Sequence, residues 1–541
     1  MTDLLWRDAD ADAPPFTLDA HPRAWELLRA ALDLPAEPSA PAHAGADIVL
    51  RAPRLTDAQL RALRDLTSPG AIKTDSRERI LRAYGKSFRD RVRLRQGAVP
   101  NPPDAVVYPA TEDQVARVLA FCGANDCALI PFGGGTNTVG AVEARDARVT
   151  LALDLARLNR VLALDEISQT VTAEAGIRGG ELERALNARG LTLGYAFEPP
   201  ATSTLGGGLA RRGELARSAH SARIVTPRGI LEAREPAQLQ CALGSEGALG
   251  VITAATLGVC ALPKTENARA WLFKNFAEGV AAMRVLTQSG LAPTFAHLAD
   301  AAATRWWRSV IVEESPRGWA GFVAQIRRQW FGDPRSEFDA GVVLVLGFAN
   351  AASANAAWAQ CAAHGAFDLG CAWAAAWSRA RTTMPAWRDA VFERGALMDT
   401  MELTTAWADV ARVQAALLAA MPAAQVWIEG VRAEPATLDL RITFWARLEA
   451  GREIARWEEM RAALIACARE NGAALAAHAG IGYENGAGYY VPAALGALKA
   501  LLDPGNVLNP GKWLVAATAS SQAQAIEYQE RFWNLPANAW K

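Results

Sequence analysis

Ile130-Pro-Phe-Gly-Gly-Gly-Thr-Asn-Thr-Val-Gly140 is the stretch on which the reading of the fold turns. The apolar run from Ala128 to Phe132 predicts a buried strand, and it stops at three consecutive glycines. Without a Cβ, glycine lets the backbone turn tightly and brings its N–H groups against a ligand. A concave row of such donors followed by a hydroxyl forms an anion-binding nest, suited to a phosphate or pyrophosphate. Taken alone, the same residues also read as a plain glycine-rich turn.

The flanking pattern narrows the choice. Upstream, 104–109 predicts a short strand and 111–122 a helix capped at Thr111, with apolar residues at 115, 118, 119 and 122. Downstream, 149–153, 160–164 and 170–175 predict strands, the last with clean period-two alternation. A helix over 180–189 follows, then a Gly/Pro/Thr-rich loop over 198–208. In a doubly wound dinucleotide domain the glycine loop opens a helix, and an acidic residue stands about 20 positions on. Here the glycines lead through a loop into another strand. A mixed α+β domain holding its ligand by loops fits better.

Composition agrees with an ordinary globular chain of more than one domain. The 541 residues exceed a single core, and 56 basic side chains balance 57 acidic ones. That balance gives no reason to expect nucleic acid or an anionic membrane as a partner. Seven scattered cysteines without C-x-x-C spacing read as small buried hydrophobes in a reducing compartment. The histidines form no metal-ligand cluster, so no metal is expected. No run of about 18 apolar residues suggests a transmembrane segment, and Met1 to Asp8 do not read as a signal peptide. The expected location is cytoplasmic.

Residues 1–95 predict a helical N-terminal extension, with helices over 21–32 and 57–66 and one capped by Thr74 or Asp75. The arginines of 89–95 read as a solvated face. Residues 264–450 alternate strands (270–273, 342–348, 425–431, 438–445) with helices (276–288, 351–364), predicting an antiparallel sheet covered on one face. A helix over 456–471 ends at Gly472. The 18 tryptophans read as packing in this second domain.

Four motifs stand in order: Pro131-Phe-Gly-Gly-Gly-Thr-Asn137, Ser203-Thr-Leu-Gly-Gly207, Gly244-Ser-Glu-Gly-Ala-Leu-Gly-Val-Ile252 and Leu508-Asn-Pro-Gly-Lys512. Together they resemble the FAD-linked oxidases of the vanillyl-alcohol-oxidase superfamily, in particular the alkyldihydroxyacetonephosphate synthase branch. Tyr84 to Arg95, Val225-Thr-Pro-Arg-Gly229, Trp387-Arg-Asp389 and Met398 to Trp407 support that branch, and the likeness runs from about residue 75 to 514.

The resemblance implies an α+β fold, with a two-subdomain FAD-binding domain of the PCMH type (96–262) and an antiparallel-sheet cap (263–475). A segment (476–514) would return to the FAD domain, leaving a tail (515–541). It further implies that Pro131, Phe132, Gly133, Gly134, Gly135, Thr136, Asn137, Thr138 and Gly140 embrace the FAD pyrophosphate, with Ser203, Thr204, Gly206 and Gly207 along the cofactor. Glu246, Gly247, Leu249, Gly250, Val251 and Ile252 would hold the adenine–ribose half and the flavin edge. Thr136-Asn-Thr138 stands where covalently flavinylated relatives often carry histidine, so FAD is expected to be non-covalent.

The chain also departs from the family. No tyrosine lies between Tyr195 and Tyr483, and Leu440-Arg-Ile-Thr-Phe444 replaces the strand that carries a proton-handling tyrosine. A run of three histidines is reduced to His478, and His297 stands where an arginine is expected. Ala210-Arg-Arg-Gly213 replaces a longer flavin-lining run. His478 and Arg388 are the expected catalytic residues, the first as acid/base and the second as a clamp for carboxylate or phosphate. The expected function is an FAD-dependent oxidoreductase acting on a small hydroxylated substrate at a site between the two domains. The alternatives are a synthase-like transferase in ether-lipid synthesis and a catalytically impaired flavin binder. A homodimer is an open expectation.

Overall fold

The computed structural model describes residues 16–35, 48–197, 199–211, 214–262, 267–291, 293–314, 341–421, 424–475 and 493–512. These form two compact units, one of 48–262 with 493–512 and one of 16–35 with 267–475. The N-terminal 95 residues are therefore divided between the units.

The first unit holds two sheets over one apolar core. The first sheet comprises β1 (Ile72–Lys73), β2 (Ala105–Val107), β3 (Ala128–Phe132) and β4 (Thr150–Asp154), in the order β1-β2-β4-β3. Both β2 and β3 run parallel to β4. The helix Glu112–Ala124 makes the crossover between β2 and β3. Thr111 caps it by accepting the Gln114 N–H at 3.2 Å, and Val115, Val118, Leu119 and Cys122 are buried. Asp75, not Thr74, caps Ser76–Leu81. At Phe132 the glycine loop begins, and the chain reaches β4 without a helix.

The second sheet contains β5 (Val161–Asp165), β6 (Thr170–Glu174), β8 (Ala219–Thr226), β9 (Gly229–Ala233) and β10 (Val251–Gly258). It is antiparallel in the order β5-β6-β10-β8-β9, and β7 (Leu191–Thr192) pairs with β11 (Cys260–Ala261). Leu129, Leu153, Val171, Leu205, Val225 and Val251 share one apolar core. The predicted loop over 198–208 needs correction, because Leu205–Ala210 is a short helix. Thr204 Oγ1 caps it by accepting the Gly207 N–H at 3.2 Å. A Cβ at Gly206 would lie 2.7 Å from that of Ala175, so here glycine serves close packing and not flexibility.

The C-terminal segment joins this unit at the free edge of β3. Leu129 N–H donates to Val507 O and Asn509 N–H donates to Leu129 O, both at 2.8 Å. Asp503 holds the turn before it by accepting the Val507 and Leu508 N–H groups and the Lys499 ammonium.

The second unit is one antiparallel sheet of eight strands. They are β12 (Asn267–Phe273), β13 (Phe295–Ala299), β14 (Val342–Phe348), β15 (Phe367–Leu369), β16 (Ala396–Ala406), β17 (Gln425–Ala433), β18 (Thr437–Arg447) and β19 (Ala474–Leu475), ordered β15-β12-β14-β13-β17-β18-β16-β19. Helices cover both faces, correcting the one-sided expectation. Ala299, Val343 and Val345 pack with Trp306, Trp373, Trp377 and Trp387, whereas Leu298 and Val342 on the opposite face meet Gly279 of Phe276–Gln288. The alternate residues of β14 are all buried, which is why its sequence is a continuous apolar run.

Trp25, Trp306, Trp307, Trp373, Trp377, Trp387, Trp427 and Trp445 lie in one buried cluster, with the Trp306 and Trp387 rings 4.4 Å apart. They are core, and Trp25 brings the helix Pro22–Ala31 into it. Two other expectations change. Arg91 and Arg95 in Phe88–Arg95 are buried, so that stretch is not a solvated face. Cys122, Cys127 and Cys361 are buried, whereas Cys260 and Cys371 are exposed. Among the described residues no helix is long and apolar enough to cross a membrane, and no group of His, Cys, Asp or Glu could hold a metal.

Candidate cofactor site

The first unit contains a hollow of about 750 Å³, counted to its open mouth. Pro131, Phe132, Gly133, Gly134, Gly135, Thr136 and Asn137 form one wall. Thr204, Gly206 and Gly207 form a second, and Glu246, Gly247, Gly250 and Ile252 a third. Three motifs spread over more than a hundred residues therefore meet, because β3, Leu205–Ala210 and β10 converge on one core.

The loop has the chemistry of a nest. Gly135 has φ 68°, after residues on the ordinary side of the map. Among the described residues, the backbone N–H groups of Gly133 to Thr138 make no hydrogen bond. Native backbone donors at a folded surface seldom run unsatisfied for this length without a ligand or water to accept from them. The glycines are also sterically required. A Cβ at Gly134 would sit 1.9 Å from Thr202 O, and one at Gly133 2.5 Å from Thr204 Oγ1. Gly247 has φ 75°, and its Cβ would meet the Pro131 ring at 2.8 Å. A cradle of this kind, with donors on one side and small apolar residues on the other, fits the pyrophosphate and flat rings of a dinucleotide.

Not every expected residue lines it. Thr138, Gly140, Ser203, Leu249 and Val251 are outside the lining set. Leu249 packs with Leu231, Leu495, Leu498 and Leu502, and Val251 joins the main core. The lining adds Ala141, Val142, Leu155, Ala175, Ala210 and Arg211. The apolar additions carry no sequence signal, since small residues inside strands and turns look alike whatever they face. Arg211 lies in the run already noted as unusual.

Two remote segments brace the loop from behind. Gly85 lies so close that its Cβ would be 2.3 Å from Asn137 O, which also accepts the Lys86 N–H at 2.6 Å. Asn137 Oδ1 accepts from Val139 and Ala141 N–H, both at 2.9 Å. From the C-terminal motif, Asn509 Nδ2 donates to Ala141 O and Glu246 O at 2.9 and 2.8 Å. Lys512 Nζ donates to Gly140 O and Glu143 O at 2.7 Å each. Glu246 itself is held in the left-handed region at φ 48°.

The charges beneath the loop are coupled. Burial lowers the Lys512 ammonium to about 8, against the opposing pull of Glu143. Burial and the Glu143 charge push Asp90 up to about 6. Glu143 accepts from Arg93 at 2.5 Å and from Arg145 at 3.2 Å. Lys512→Met removes both carbonyl contacts and is expected to cost about 1–3 kcal/mol. The check is a lower urea midpoint at unchanged slope, with weaker flavin retention.

In the second unit, Arg388 on Met384–Glu393 stands 3.7 Å from Asp399. Asp399 also accepts the Trp457 indole N–H at 2.7 Å and lies 3.8 Å from Arg461. His297 is buried, with Nε2 2.9 Å from Glu429 Oε1, an oxygen that also accepts the Trp307 indole N–H at 2.8 Å. Burial pushes the Glu429 carboxyl up, but the charge and hydrogen bond of His297 and the bond from Trp307 outweigh it and leave it lowered. His478 lies outside the described residues.

Known proteins carry the same pattern. Residues 103–233 match the FAD binding domain model, and residues 262–513 match the C-terminal domain model of FAD linked oxidases. The chain belongs to the FAD-linked oxidase family. FAD is its cofactor, as the nest and the matched domain agree. An alkyldihydroxyacetonephosphate synthase from Dictyostelium discoideum is 28% identical over 490 residues, covering 84% of this chain and 80% of that protein. A solved alkyldihydroxyacetonephosphate synthase superposes with a TM-score of 0.79 at 26% identity, covering 91% and 92% of the two chains. A D-2-hydroxyglutarate dehydrogenase from Stutzerimonas stutzeri is 26% identical over 222 residues, 38% of this chain and 46% of that protein. p-Cresol methylhydroxylase, at 14% identity and a TM-score of 0.62, shares the fold, covering 86% and 99% of the two chains. The family-level reading of fold and cofactor from the four motifs therefore stands.

Proposed function

We propose that this FAD-dependent enzyme is a transferase of the alkyldihydroxyacetonephosphate synthase type, not the oxidoreductase first expected. One observation carries the choice. The synthase relative is matched over 84% of the chain, through both units, whereas the D-2-hydroxyglutarate dehydrogenase relative is matched over only 38%. In this reading an acyl ester of dihydroxyacetone phosphate loses its fatty acid and gains the alkoxide of a long-chain alcohol. The alcohol's proton leaves with the carboxylic acid.

When bound, FAD supplies a redox-active, electrophilic ring system. The chain's own groups do the rest. The N–H groups of Gly133 to Thr138 would hold the pyrophosphate, and Thr204, Gly206, Gly207, Gly247 and Gly250 would let the rings approach the backbone. Arg388 would meet the substrate phosphate, its charge already balanced in part by Asp399. His478 would move the proton.

A second reading has its own support. Leu440 to Phe444 offer no tyrosine, which counts against the full synthase activity, and the Leu508-Asn-Pro-Gly-Lys512 ending is shared with 2-hydroxy-acid dehydrogenases of the superfamily. Incubation with acyl-dihydroxyacetone phosphate and a long-chain alcohol separates the two. An ether product is expected. Its absence, together with anaerobic bleaching of the flavin by a D-2-hydroxy acid, would replace the transferase by the oxidoreductase.

A further inference from the structure

Arg211 is the one cation among the described residues that line the hollow. It follows directly on the helix Leu205–Ala210, whose first turn faces the glycine loop through Thr204 and Gly133. Arg211 lines the same hollow as Gly133 to Asn137. The preceding backbone is fixed, since Gly244 N–H donates to Leu209 O at 3.0 Å and Glu246 N–H to Ala210 O at 3.1 Å. Glu246 lines the same hollow.

Arg211 makes no hydrogen bond or ion pair among the described residues. The side chains of Arg61, Arg64, Arg77 and Arg178 in the same unit also lack a partner among the described residues, but they are exposed, whereas Arg211 is half-buried. The arginines Arg82, Arg93, Arg148 and Arg160 each hold a carboxylate. An arginine half-buried in a concave site and without a partner there still has all five donors for a ligand.

We propose that Arg211 is a phosphate-binding residue of this pocket, taking a phosphoryl oxyanion bidentately. The inference rests on the FAD reading of the hollow. The phosphate has two possible sources, the pyrophosphate of FAD and the phosphate of a phosphorylated substrate, and both present the same fork of oxygens.

The test uses the full-length chain stripped of flavin and titrated with FAD and with riboflavin, which lacks phosphate, following flavin fluorescence. R211Q is expected to weaken FAD binding about 10- to 100-fold and leave riboflavin unchanged, with R211K between the two. That result assigns the cofactor phosphate. If FAD binding is unchanged but inorganic phosphate inhibits the holoenzyme and not R211Q, the substrate phosphate is assigned instead. Equal FAD binding and equal phosphate inhibition in wild type and R211Q would overturn the proposal. A wild-type chain that binds no FAD at all would instead remove the reading beneath it.

Discussion

Gly134→Ala is expected to yield a folded but colourless protein, with FAD affinity reduced about 100-fold or more. The added methyl would stand 1.9 Å from the Thr202 carbonyl oxygen, with the Thr202 carbonyl carbon and Ser203 Cα also within contact. Those atoms are backbone, so no rotamer change relieves the clash. Either the nest or the 202–204 segment has to move by more than an ångström. Moving the nest spoils the row of N–H donors from Gly133 to Thr138. Moving the other segment displaces Thr204, which caps Leu205–Ala210 and lines the same hollow. Both routes damage the pocket before they damage the core, because Leu129 and Leu205 belong to the main buried apolar cluster. Flavin absorbance per mole of protein and a circular-dichroism melt, read together, check this. Loss of colour with a largely preserved melt is the expected pair. Full flavin content in this variant would mean that the glycine loop does not hold the cofactor.

Asp104→Asn is expected to give the largest loss of stability among single polar substitutions in the first unit, about 2–4 kcal/mol. The Asp104 carboxylate is fully buried at the entry to β2. It pairs with Arg51 and Arg54 and accepts the Arg54 and Thr150 N–H groups, both at 2.9 Å. The arginines are about one-third exposed, so solvent screens part of the Coulomb gain. Burial pushes the carboxyl up, but the hydrogen bonds from Arg54, Arg51 and the two backbone donors outweigh it and hold it at about 2. The folded value lies below the ordinary one. The contribution is therefore complete above about pH 4 and is lost as the pH falls towards 2, and it amounts to about 2 kcal/mol. Urea midpoints of wild type and variant should differ at pH 7 and converge near pH 2. A difference that stays constant over that range would show that the ionised carboxylate is not what ties residues 51–54 to the sheet.

The sequence was most legible where a backbone requirement forces a residue type. Gly133, Gly134 and Gly247 each stand where a Cβ would strike a neighbour, so the glycines report the close approach directly. The strand following the loop, β4, was equally readable, and it separated this fold from a doubly wound one. Other features depend on partners distant in the chain. Arg91 and Arg95 look like surface residues in a run of arginines, yet tertiary packing buries them. Leu205–Ala210 carries three glycines and reads as loop. Its helix exists because Thr204 caps it and Ala175 accepts only a glycine beside it. The strand-like runs over 425–431 and 438–445 show a sheet but not that helices cover both of its faces. For Arg388 and His297, the type of residue gave a candidate role, and only the structure shows the carboxylates that hold them, Asp399 and Glu429.

The first unit is expected to hold FAD in the glycine-walled hollow without a covalent bond, since Thr136 to Thr138 offer no histidine. The most direct test is to purify the chain, denature it, and separate the precipitate from the supernatant. One intact FAD per chain is expected, all of it in the supernatant. Flavin retained by the precipitated protein, or a native chain with no flavin absorption even after incubation with FAD, would contradict it.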